Sequence, residues 1–143
     1  MPYLSKDEVK EALMDSLGAP STVEESRRLG VAAVVAVLRT ARGCPGAVID
    51  STWFPYSLPL VRQLPGPLVE IRCRIDIELA RARYQLRARD ERHLDGLRTE
   101  DELWGVEVLA LGVGPLIEVD TKKPVDIAAL ADDIRATVEH RDL

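Results

Sequence analysis

Three acids and a group of arginines are the residues of this 143-residue chain whose types and spacing could do chemistry. Asp50 ends the apolar run Ala47-Val48-Ile49 and is followed at once by Ser51 and Thr52. A carboxylate there can orient magnesium or its water while a hydroxyl reaches a phosphate oxygen; capping of the loop explains the same residue equally well. Asp7 could accept a proton from an attacking hydroxyl, or it could be an ordinary first-turn acid favoured by the helix dipole. Asp120 follows a further apolar run, Pro115 to Val119. Arg81, Arg83, Arg87, Arg89 and Arg92 crowd the stretch after Asp76. At about 100° per residue Arg81, Arg89 and Arg92 form one helical row and Arg83 and Arg87 a second. Rows of planar, permanently charged forks suit phosphate, but with Glu78, Asp90 and Glu91 among them they also describe a solvated helix face.

The elements that must position these residues follow from the local pattern. Ser5 with Glu8 reads as a capping box for a helix to about Leu17, its inward stripe Val9, Leu13 and Leu17, after a short extended entry at Pro2-Tyr3-Leu4. Ser21 with Glu24 opens a second helix to about Arg42, apolar all round from Gly30 to Leu38 and so expected to be deeply buried. Ala47 to Asp50 reads as a central parallel strand, followed by a loop carrying Trp53, Phe54 and Tyr56 and a short helix from Ser57 to Leu64. Thr52, Trp53 and Tyr56 are candidates to frame a small-molecule pocket, although aromatic loop residues more often cap a core. Leu68 to Cys73 reads as a buried strand leading, through Asp76 as cap, into the arginine-bearing helix with Ile77, Ala80 and Tyr84 on its packed face. Thr99 with Glu102 caps a helix from about Glu100 to Ala110, PLIEV is a strand, and Ile127, Leu130, Ile134 and Val138 mark a final amphipathic helix from Asp126 to about His140. Apolar strands separated by helices predict an α/β fold, a three-layer α/β/α arrangement around a small parallel sheet.

Composition narrows the function. Residues are 46% hydrophobic and 30% charged with a net charge of −5, the balance of a single globular domain without a nucleic-acid surface, so that any anion site must be local. Cys44 and Cys73 form no CxxC motif and read as reduced thiols of a cytoplasmic protein; no signal core or membrane span is expected. The two histidines and unpaired cysteines give no zinc spacing, so no metal-ligand set is expected from the chain, and neither GxSxG nor GxGxxG is present. His93, in RDERHLDG, reads as a solvated helix end.

Taken together, LSKDEVKEALMDSLG, AVIDSTW, VEIRCRIDIELARARYQLRARDERHLDG and LIEVDT resemble the P-loop kinase-like ATP-binding proteins related to zeta toxins, polynucleotide kinases and chloramphenicol phosphotransferases. The resemblance covers nearly the whole chain and implies a single truncated domain over 1–143, a P-loop NTPase fold missing its first strand. It places Asp7 at the acceptor or base position, Asp50 at the strand end near metal, and Arg81, Arg83, Arg87, Arg89 or Arg92 in or beside a lid-like region at about 77–98. The activity implied is transfer of the γ-phosphate of ATP to a small-molecule hydroxyl, with Mg-ATP as cofactor. The pattern departs at one place: the four lysines, 6, 10, 122 and 123, follow no glycine, and GxxxxGK[ST] is absent. Without that loop, ATP binding by this chain is expected to be weak or absent and the chain inactive. The missing strand of the resembled fold lies between those matching Ala47–Asp50 and Leu68–Cys73, so these are expected to close up, or a second copy to fill the gap as a homodimer. A non-catalytic interaction module is the alternative.

Overall fold

The computed structural model describes residues 1–139. The chain divides into two compact units, one formed by Met1–Pro65 with Arg89–Leu109 and the other by Gly66–Ala88 with the residues from Ala110 on.

The first unit begins with β1 (Tyr3–Ser5) and runs directly into α1 (Lys6–Leu17), because the Ser5 hydroxyl accepts the amide of Glu8 at 3.4 Å and so starts the helix. α2 (Val23–Ala41) starts one residue later than expected. Thr22, not Ser21, is its cap, accepting the Glu25 amide at 3.2 Å, while the Glu25 carboxylate reaches back to the Ser21 amide at 2.7 Å. β2 (Val48–Asp50) lies parallel to β1 in the register Tyr3 to Val48, Leu4 to Ile49 and Ser5 to Asp50. The extended entry at residues 2–4 is therefore a strand, too short for alternation to reveal. A 3₁₀ turn at Pro55–Ser57 leads into α3 (Leu58–Val61).

The core of this unit is made by α1, α2 and α3: Met14, Ala33, Val34, Val37, Leu38, Ala41 and Val61 are buried. α2 is not buried all round. Val31 is 43% exposed, so its apolar middle spends only one face on the core. On α1 the buried positions are Lys10 and Met14, four apart, and Leu17 is exposed; the packed face is turned by one position from the stripe Val9, Leu13, Leu17.

After Arg89 the chain forms 3₁₀ turns at Glu91–His93 and Asp95–Leu97, joined by Leu94 in the left-handed conformation at φ 57°. α5 (Glu100–Trp104) carries the full reciprocal box, the Thr99 hydroxyl accepting the Glu102 amide at 3.2 Å and the Glu102 carboxylate accepting the Thr99 amide at 2.8 Å. It stops at Gly105, well short of Ala110, because the segment that follows is Val106-Glu107-Val108, in which β-branched side chains crowd a helical turn.

The second unit is built on β3 (Glu70–Arg74) and β4 (Leu116–Asp120), parallel, with Ile71 opposite Ile117 and Cys73 opposite Val119 on one face. The Glu70 carboxylate holds the approach to β4 by accepting the amides of Leu111 at 2.6 Å and Val113 at 2.7 Å. A side chain at Gly114 would meet the Leu68 carbonyl, so only glycine lets the chain enter β4 here. α4 (Ile77–Leu86) and α6 (Ile127–Glu139) complete the unit. Asp76 occupies the cap position of α4 but makes no cap bond; its carboxylate pairs with Lys122 Nζ at 2.6 Å. The stripe of α6 has Ile127 exposed and no buried member, and His140 lies outside the described residues.

The strands do not form one sheet. β1 pairs with β2, β3 pairs with β4, and no ladder joins β2 to β3. The closing-up expected of these two strands does not occur. The architecture is α/β with two short parallel sheets, and among the described residues no helix is long and apolar enough to cross a membrane.

Candidate functional site

Because β1 and β2 are parallel and Ser5 is level with Asp50, the residues that leave both strands emerge at one rim. That rim, beyond the carboxyl ends of parallel strands, is where open α/β sheets place ligands. A cavity of about 140 Å³ opens there, lined by Lys6, Asp7, Asp50, Ser51 and Thr52. It brings together Asp7, Asp50 and Thr52 from the sequence reading. It adds Lys6, whose type and place next to Asp7 were the only sequence signal for it.

The two carboxylates are held differently. Asp7 receives Lys6 Nζ on Oδ1 at 2.8 Å and Arg89 on Oδ2 at 3.0 Å. Burial alone would raise its carboxyl pKa, but the hydrogen bond and charge of Lys6, with the charge of Arg89, outweigh that and hold it below the ordinary value. Asp50 accepts one hydrogen bond, from the Tyr3 hydroxyl at 2.9 Å, and that bond together with the carboxylate charge raises the Tyr3 pKa. Asp7 is thus an ionised acceptor fixed from two sides, and Asp50 is a carboxylate with one hydroxyl partner beside Ser51 and Thr52.

Behind this rim the sequence reading missed a polar cluster. His93 is 1% exposed, not at a solvated end: Nε2 lies 2.9 Å from Glu11 Oε1 and Nδ1 lies 3.1 Å from the Arg89 guanidinium. Arg89 also donates to Asp95 at 3.0 Å. Lys10 is 3% exposed and donates to the Ser26 hydroxyl at 2.7 Å; Ser26 in turn donates to the His93 carbonyl at 3.3 Å. Burial first, then the charges of Lys6, Arg98 and Arg89, lower the Lys10 pKa to about 8. The signal for this cluster was thin, since α1 displays Lys6 and Lys10 one turn apart but nothing local says which face turns inward.

The arginines do not form helical rows. α4 ends at Leu86 and the backbone at Arg87 is already extended, so Arg89 and Arg92 lie beyond the helix. In the first unit, Arg92 is bound by Asp90 at 2.6 Å and Asp15 at 2.7 Å, which lowers the Asp90 carboxyl pKa. In the second, Arg83 donates to the carbonyls of Thr121 at 2.8 Å and Lys122 at 3.3 Å, Arg87 stands 4.7 Å from the centre of the Tyr84 ring, and Arg81 is half-buried. Trp53 and Tyr56 do not line the cavity; Tyr56 stacks on Phe54 with centroids 6.4 Å apart, both rings half exposed. Asp120 lies in the second unit, at a separate cavity of about 320 Å³ with Arg74, Ile75, Asp76, Glu118 and Lys122.

The donor chemistry allows a test of the groups implied by the family resemblance. Asp50 with the Ser51 and Thr52 hydroxyls offers hard oxygen donors, which suits Mg²⁺ held through one carboxylate and substrate oxygens, although no group of three or more metal-ligating side chains exists among the described residues. The phosphates of ATP find no fit, because no glycine-rich turn presents successive amides beside a lysine at this rim.

No family model and no curated protein matches the chain. Among solved structures it is similar to a protein of Chloroflexus aurantiacus described as a "putative kinase", with a TM-score of 0.75 and 28% identity over 96% of this chain and 84% of that one. The chain has a kinase-like α/β fold.

Proposed function

We propose that this chain carries the acceptor side of an ATP-dependent small-molecule kinase of the P-loop type. The observation that supports this reading is the single cavity holding Asp7 and Asp50 at the ends of two adjoining parallel strands. Asp7 takes the proton of an acceptor hydroxyl, Lys6 and Arg89 hold its carboxylate in place, and Asp50 with Ser51 and Thr52 orients the acceptor and a hard cation. Mg-ATP binds weakly or not at all, since the 143 residues hold no GxxxxGK[ST].

Two measurements test this. Isothermal titration with Mg-ATP should show no affinity tighter than about 1 mM; micromolar binding would overturn the account of the missing cradle. A chain extended before Met1 by a strand, a GxxxxGK[ST] loop and a helix should gain ATP-dependent phosphorylation of a hydroxylated small molecule that Asp7→Asn removes. Nucleotide binding without Asp7-dependent transfer would overturn the acceptor assignment.

One observation favours a second reading, a self-associating module. β2 and β3 each keep a ladder edge without a strand partner among the described residues, and the second unit has no buried residue there while Ile71, Leu116 and Ile127 are exposed. Gel filtration with light scattering decides: a homodimer supports this reading and a strict monomer counts against it.

A further inference from the structure

Arg89 belongs by resemblance to a phosphate-closing lid, but its surroundings describe something else. One guanidinium nitrogen donates to Asp95 Oδ2 at 3.0 Å; the other donates to Asp7 Oδ2 at 3.0 Å and meets His93 Nδ1 at 3.1 Å. Arginine only donates, so His93 Nδ1 must accept. Nε2 then carries the ring proton and donates it to Glu11 Oε1 at 2.9 Å, which fixes a neutral tautomer. The ring is fully enclosed, and its own carbonyl is tied to Ser26 on α2. Asp95 is faced in addition by Arg98 Nε at 3.8 Å. The left-handed Leu94 between them, a conformation that side-chain-bearing residues rarely adopt, turns His93 and Asp95 onto the same guanidinium.

A guanidinium anchored by a buried imidazole and a carboxylate cannot swing onto a phosphate without breaking both. We propose that Arg89 is a positioning residue for Asp7, anchored by His93 and Asp95, and not a phosphate-binding residue. This rests on the reading of Asp7 as the group that faces the acceptor. Lys6 takes one lone pair of Oδ1 and Arg89 one of Oδ2, so each oxygen keeps a lone pair for an incoming hydroxyl. Arg89 thereby fixes both the rotamer and the ionised state of the carboxylate, as preorganisation requires.

The test is a carbon-13 NMR titration of the Asp7 carboxyl in the full chain. Arg89→Gln removes the cation and leaves the burial and Lys6, so the Asp7 midpoint should rise. Arg89→Lys, which keeps charge but not the fork, should recover part of that shift. Arg92→Gln should leave the midpoint where it is, because Arg92 is spent on Asp90 and Asp15. If Arg89→Gln does not fold, Arg89→Lys carries the test, and its midpoint should lie above that of the native chain. An unmoved midpoint in the folded variants, or an equal shift from Arg92→Gln, overturns the proposal. The titration needs no phosphoryl transfer, so a silent kinase assay leaves it standing and an unmoved midpoint sinks it whatever that assay shows.

Discussion

Replacing Lys10 with methionine should make the first unit more stable near neutral pH, although it deletes a hydrogen bond. Lys10 is 3% exposed, its only side-chain hydrogen bond among the described residues is to the Ser26 hydroxyl, and the charges acting on it are mostly cations. A pKa lowered from 10.5 to about 8 corresponds to about 3 kcal/mol of unfavourable interaction in the charged form, at about 1.4 kcal/mol per unit. Between those two values the unfolded chain binds more protons than the folded one, so stability rises with pH. Most of that gain falls within reach of experiment: from pH 7.5 to 9.5 the native chain should gain about 2 kcal/mol. Tyr3 and Lys122, whose values are raised above 10.0 and 10.5, oppose the trend only at higher pH. In Lys10→Met the rise should vanish. The lost bond to Ser26 costs about 1 kcal/mol, which leaves the variant about 1–2 kcal/mol more stable at pH 7.5. Urea unfolding followed by tryptophan fluorescence reads this directly, since Trp53 and Trp104 both lie in the first unit. A native chain whose stability is flat or falls over that range, or a Lys10→Met variant weaker by more than about 1 kcal/mol at pH 7.5, would refute the reasoning by showing that the ammonium is compensated.

Leu38 is 1% exposed on the buried face of α2, and Leu38→Ala should cost about 2–5 kcal/mol in the same fluorescence-detected melts. Gly114→Ala places a methyl group against the Leu68 carbonyl and should destabilise the second unit by about 1–3 kcal/mol, visible as faster amide exchange in β3 and β4 while the tryptophan signal of the first unit is unchanged.

What was legible in the sequence is what neighbours along the chain decide. The Ser5 cap on the Glu8 amide, without the return bond of a box, and the full box of Thr99 with Glu102 form within a single turn, and the carboxylate after Val48-Ile49 sits at a strand end because four residues suffice to say so. Apart from shifted ends, such as the cap of α2 and the early stop of α5, the failures concern partners far apart in sequence. His93 looked solvated because RDERHLDG is polar, yet it is buried and its Nε2 meets Glu11, 82 residues away. The arginine rows failed because periodicity was carried past Leu86, where acids distant in sequence claim Arg89 and Arg92 individually.

The two sheets teach the same lesson about pairing. β2 and β3 each present only a few residues, with Val48 and Ile71 exposed, so a ladder of this length is marginal by itself. β1 escapes that limit because α1 follows it without a linker and carries it to β2. The position of Asp7 beside Asp50 is therefore a consequence of helix packing: α1 and α2 pack on one another, with Met14, Val34 and Leu38 buried, and the three-residue ladder sets the register. It follows that the acceptor rim, read by the Asp7 carboxyl titration, should persist wherever the α1–α2 core does.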